Sequence, residues 1–155
     1  MKLTDALLGE HAVLYDLFTH LRALGQKDGG IEEMRGAFNV LDQLLRSHAG
    51  IEEELLFPNL EPHIGQMGPL AVMKGEHKAI DDLLDALATE TDIAALKSLT
   101  NELIDLAFSH FQKEEGALFP MARQFLDEAK LSELGDLWAQ KRKVNTNAQG
   151  CMGGG

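Results

Sequence analysis

The chain is written twice. Gly9-Glu10-His11 returns as Gly75-Glu76-His77, 66 residues further on. His48-Ala49-Gly50-Ile51-Glu52-Glu53-Glu54-Leu55-Leu56-Phe57-Pro58 returns as His110-Phe111-Gln112-Lys113-Glu114-Glu115-Gly116-Ala117-Leu118-Phe119-Pro120, an offset of 62, with six of the eleven positions identical. Two copies of one unit are too few for a solenoid, so they must bury their apolar sides against each other. The four-residue difference in offset has to fall between the paired motifs, and the 25–30 connection is the expected place for it.

Apolar residues recur at helical spacing in both copies. Leu3, Leu7, Leu14, Leu17, Phe18, Leu21 and Leu24 form one stripe, with Thr4 or Asp5 as cap and Gly25 as stop. Asp28-Gly29-Gly30 signals a turn. A second helix is expected from Ile31 to Phe57, on Met34, Phe38, Leu41, Leu44, Leu45 and Ile51, with a kink at Pro58 rather than an end. A third runs over 70–89. A fourth is capped by Thr91-Asp92 and carries Leu96, Leu99, Leu103, Leu106 and Phe108, with Pro120 interrupting it. A short fifth covers 131–144. No stretch alternates with period two for long enough to make a strand. The expected fold class is all-α: an antiparallel up-down four-helix bundle with a short C-terminal helix and a disordered tail. The expected division is a bundle over 1–144 and a flexible tail over 145–155.

The sequence has 14 basic and 25 acidic residues, a net charge of −11. Nucleic acid and anionic membrane surfaces are poor partners for such a chain. No apolar run approaches the ~18 residues of a membrane span, and the N-terminus has no secretory h-region. The single cysteine, Cys151, cannot pair within the chain. A reducing cytoplasm is the expected compartment.

The chemistry lies in the repeated histidines and glutamates. Residues at i and i+4 sit about 40° apart around a helix, so His48 shares a face with Glu52, and His110 with Glu114. Those faces are apolar, as are the surroundings of His11 and His77. No Lys or Arg lies three or four residues from Glu52 or Glu114 to neutralise them. Burying an isolated carboxylate costs several kcal/mol even after relaxation, and a bound cation removes that cost. Imidazole and carboxylate without thiolate suit iron, manganese, zinc or cobalt. Six ligands exceed what one tetrahedral zinc uses. Two equivalent halves point to two metals: His11 and His48 on one, His77 and His110 on the other, Glu52 and Glu114 between them.

The constellation His11, His48-x-x-x-Glu52, His77, His110-x-x-x-Glu114, with a Leu-Phe-Pro after each second motif, resembles the hemerythrin-like HHE cation-binding domain over about residues 3–125. The resemblance implies a non-haem di-iron centre, two Fe ions often joined by an oxo or hydroxo bridge. It also implies O2, or another small diatomic or peroxide, as the ligand. Two departures separate this chain from the oxygen carriers of that family. The carriers have a fifth histidine from an H-x-x-x-H pair on the third helix, where this chain has Met73 and Asp81 four residues either side of His77. They also end on His-x-x-x-x-Asp, where this chain has His110-x-x-x-Glu114. The family further includes di-iron proteins that repair iron–sulfur clusters, typically with a separate cysteine-bearing N-terminal domain that has no counterpart here. Three roles stay open: an O2-binding or sensing protein, an enzyme reducing nitric oxide, O2 or peroxide, and an iron delivery or repair protein.

Of the remaining polar groups, Glu10, Glu53, Glu76 and Glu115 lie one residue from a ligand and about 100° off its face, as groups that flank or back the ligands or are simply solvated. Tyr15 is expected as a packed aromatic with its hydroxyl near the centre. Asp81 is expected to back the site or lie on the surface, with ligation as the alternative. His20 is expected to face away from the site, and His63 to lie on the surface.

Overall fold

The computed structural model describes residues 1–27 and 31–146, and these form helices with no strand among them. In chain order they are α1 (Leu3–Gly25), α2 (Ile31–Ile51), α3 (Phe57–Ile64), α4 (Pro69–Thr89), α5 (Ile93–Lys113), α6 (Phe119–Phe125) and α7 (Glu128–Arg142). Single π-helical turns, Glu52–Leu56 and Glu114–Leu118, join α2 to α3 and α5 to α6 into two long rods. The result is the expected four-rod bundle, with α7 as an additional helix laid against α1 and the first π turn. The Asp28-Gly29-Gly30 turn signal and the tail from Asn147, including Cys151, lie outside the described residues.

Each histidine of the repeat occupies a core position in its helix. The buried residues of α1 are spaced as Leu7, His11, Leu14, Phe18, Leu21. Those of α4 run Leu70, Met73, His77, Ile80, Leu84. The same three-and-four spacing brings His48 after Leu45, and His110 after Ala107. Two apolar clusters sandwich the histidine layer. One contains Phe18, Leu21, Phe38, Leu84 and Leu103; the other contains Leu3, Leu56, Phe57, Leu70 and Phe119 together with Leu131 and Leu134 of α7. Burying each such side chain is worth about 1.5–3 kcal/mol, so apolar packing on both sides holds the polar layer in place.

The prolines do not end the rods. The Phe57 N–H bonds the carbonyl of Glu52, and the Phe119 N–H that of Glu114, each five residues back. In a regular α-helix the rings of Pro58 and Pro120 clash with the carbonyl four residues before them. The widened turn relieves that clash and lets the helix continue. The repeat difference is shared: α1 runs two residues further past its histidine than α4 does, and the first connection is two residues longer than the second.

Some local expectations are corrected. The N-cap of α1 is Lys2, without a side-chain cap bond. Thr4 is instead buried, and its hydroxyl accepts a bond from Arg123 at 3.2 Å. Leu44 and Phe108 stand outside the core stripes, 38% and 47% exposed. Asp92 caps α5 by accepting from the Ala95 N–H at 2.9 Å, as expected. The C-terminal helix starts earlier than expected, at Glu128, capped by Asp127.

Gly135 is where α7 meets the N-terminus. A Cβ there comes within 2.0 Å of the Met1 carbonyl oxygen and 3.2 Å of the Leu3 nitrogen, both rigid backbone. Gly135→Ala is therefore expected to destabilise by about 1–3 kcal/mol. Gly36→Ala, in the exposed middle of α2 with nothing near its Cβ, is expected to stabilise by about 0.5–1 kcal/mol. Paired thermal melts check both signs.

Candidate metal centre

Six side chains converge at the centre of the bundle: His11 from α1, His48 from α2, Glu52 from the first π turn, His77 from α4, His110 from α5 and Glu114 from the second π turn. All are buried, and both carboxylates are wholly so. The two π turns begin at the two glutamates.

The imidazoles meet in pairs. Nε2 of His11 lies 3.1 Å from Nε2 of His48, and Nε2 of His77 lies 3.0 Å from that of His110. Each glutamate spans both pairs. Glu52 Oε1 is 3.7 Å from His48 Nε2, while its Oε2 is 3.3 Å from His77 Nε2. Glu114 Oε2 is 3.1 Å from His11 Nε2, while its Oε1 is 2.9 Å from His110 Nε2. Ligand atoms thus form two groups within 4.8 Å, one on each histidine pair, with Glu52 and Glu114 common to both.

A second layer fixes the tautomers. His48 Nδ1 donates to Glu10 at 2.8 Å, His77 Nδ1 to Glu53 at 2.8 Å, His110 Nδ1 to Glu76 at 2.9 Å and His11 Nδ1 to Glu115 at 2.8 Å. The four bonds make a closed ring, in which each rod lends a carboxylate to the histidine of the next. These four glutamates, expected to flank or back the ligands or to be solvated, are the orienting partners of the histidines. Each backs the histidine of a neighbouring helix rather than the one beside it in sequence. With Nδ1 carrying the proton, every neutral imidazole turns a bare Nε2 lone pair inward. Four such nitrogens face four carboxylate oxygens of Glu52 and Glu114, and none of those oxygens has a hydrogen-bond partner. Eight lone-pair atoms meeting without a proton between them fit a cation site, and histidines backed by carboxylates are the usual support for one.

Protonation offers the metal-free protein a partial substitute. Burial, reinforced by the charge of Glu114, pushes the Glu52 carboxyl well above the ordinary carboxylate range. Burial pushes the His48 and His77 imidazoles down. Burial also opposes a charge on His110, but Glu114 overcomes it and holds that imidazole up.

Tyr15 is packed as expected, its ring against Phe18, Phe108 and Phe111. Its hydroxyl donates to Glu115 at 2.8 Å, and burial with that carboxylate raises the phenol to about 12. It therefore buttresses the ring and stands outside the six-residue cluster. Asp81 does not join the cluster either. Arg46 draws it away at 2.9 Å while also bonding Asp42 and Asp85. His20 is exposed, and His63, at the end of α3, stacks on Phe125 at the surface. A narrow cleft bordered by Leu45, Ala49, Ile80 and Asp81 reaches His48, His77 and His110. Its free space is about 10 Å³, roughly that of one water.

A helical bundle with a duplicated, buried His/Glu cluster is a metal-binding class of protein. The hemerythrin HHE cation binding domain model matches residues 2–122, and again 72–145. The chain belongs to that family. A hemerythrin HHE cation binding domain-containing protein from Mycobacterium kansasii, an Rv2633c homolog, shares the fold with a TM-score of 0.76 and 24% identity, covering 92% of this chain and 86% of that one. Among curated relatives, the iron-sulfur cluster repair protein YtfE of Enterobacter sp. (strain 638) is 34% identical over 96 residues, and that of Escherichia coli O157:H7 33%. Each match covers 54% of this chain and 44% of the relative, so the similarity spans under half the length of those proteins. No helix among the described residues is long and apolar enough to cross a membrane.

Proposed function

We propose that the chain holds two iron ions, His11 and His48 binding one, His77 and His110 the other, with Glu52 and Glu114 shared, and uses them to bind or sense O2 or a related diatomic or redox ligand. The observation carrying this reading is the set of eight inward-facing lone-pair atoms, divided by the two carboxylates into two equal groups. Iron bound there supplies redox chemistry and a coordination position for a small ligand. The protein's own part is orientation and exclusion. Glu10, Glu53, Glu76 and Glu115 lock the imidazole tautomers, and the apolar clusters exclude bulk water. The cleft beside Ile80 has room for about one water, which suits a small ligand such as a diatomic. Neither Met73, packed in the core, nor Asp81, held by Arg46, replaces the carriers' fifth histidine.

The relatives named as iron–sulfur cluster repair proteins favour a second reading, in which the site donates iron. One experiment separates the two. The protein is loaded with ferrous iron without oxygen, and its visible spectrum is followed through repeated oxygenation and degassing. Binding or sensing predicts a band that returns over successive cycles, with the iron retained. A single irreversible change, with iron passing to an apo cluster protein, supports repair and defeats the binding reading.

A further inference from the structure

The repeat makes the two histidine pairs near copies, and α7 makes them unequal. Trp138 Nε1 donates to Glu10 at 2.7 Å, and Arg142 donates to both oxygens of the same carboxylate, at 2.6 and 3.0 Å. Arg142 also bonds the Ser47 carbonyl at 3.1 Å and the Ser47 hydroxyl. One guanidinium thus ties Glu10 of α1 to the residue beside His48 on α2. The other support of this pair, Glu115, is held by Tyr15. The His77/His110 pair has no such backing. Glu76 is met by Lys113, an exposed lysine. Glu53 is 51% exposed, and its bond to His77 is its one hydrogen bond among the described residues. The cleft also borders both imidazoles of this pair and only one of the other.

We infer that Trp138 and Arg142 are positioning residues that make the His11/His48 position the slowly exchanging one, leaving the His77/His110 position to take up and release metal. This rests on the two-metal reading above. A rigid support keeps both imidazoles aimed when a metal–ligand bond breaks, so rebinding outruns escape. A half-exposed carboxylate lets its imidazole turn away.

The test loads the full chain with ferrous iron under anaerobic conditions, measures iron per chain, then adds excess chelator and follows release. Two phases of one equivalent each are expected. Arg142→Met accelerates the slow phase about tenfold, within the range for losing a supporting partner of a metal ligand, and leaves the fast phase unchanged. Trp138→Phe does the same to a smaller extent, and Arg142→Lys restores part of the loss. Lys113→Met accelerates only the fast phase. Circular dichroism of the metal-free variants checks their folding, and Trp138→Phe stands in if Arg142→Met fails to fold. Two irons leaving in one phase, or Arg142→Met changing the fast phase or neither, overturns the inference while the two-metal reading stands. Fewer than two irons before the chelator is added overturns both.

Discussion

Ferrous iron raises the melting temperature of the metal-free protein by about 10 °C or more. A ligand that binds only the folded chain stabilises it by about 4 kcal/mol at a thousandfold excess over its dissociation constant. For a domain of this size each kcal/mol moves the midpoint by about 2–4 °C. The effect is large because the metal satisfies four carboxylate oxygens and four imidazole nitrogens at once, which protonation of Glu52 and His110 does only in part. Paired calorimetric scans, metal-free and loaded, measure it. Equal midpoints would mean that the cluster is a satisfied core element and binds no metal.

Glu52→Gln is expected to move the two states differently. In the metal-free protein Glu52 sits well above the ordinary carboxylate range because of burial and the charge of Glu114. A protonated carboxyl and an amide are close in size and charge, so the metal-free midpoint stays within about 2 °C, or about 0.5–1 kcal/mol. The loaded protein loses a ligand to both positions, because one oxygen of Glu52 faces each histidine pair. Loss of a supporting residue outside the ligand shell already costs 10–100-fold in affinity, and loss of a shared ligand costs at least that at each position. The iron-induced shift therefore falls to a few degrees. Glu10→Gln, at a residue that backs His48 alone among the four histidines, is expected to weaken binding without abolishing it. A Glu52→Gln variant that melts far below the metal-free parent yet keeps the full iron shift would contradict this account.

The bundle and its six central residues were legible because both follow one-dimensional rules. Helical spacing set Leu7, His11, Leu14 and Phe18 on one face, and duplication picked out Glu52 and Glu114 from 25 acidic residues. The features that went unread depend on neighbours distant in sequence. Spacing puts Glu10 beside a ligand, as backing or solvated, but which histidine it backs appears only when α2 brings His48 and α7 brings Arg142 to it. Asp81 has the right spacing from His77 to be a ligand, but Arg46, 35 residues away, competes for it. The π turns carried a signal, a proline six residues after each central glutamate, but a kink and a widened turn both answer to it.

Iron is counted in the protein after anaerobic loading and removal of unbound metal, in the parent and in Glu52→Gln. A two-iron site that shares Glu52 predicts two irons per chain in the parent, and a marked loss from both positions in the variant. One iron or none in the parent, or two irons undiminished in the variant, would contradict it.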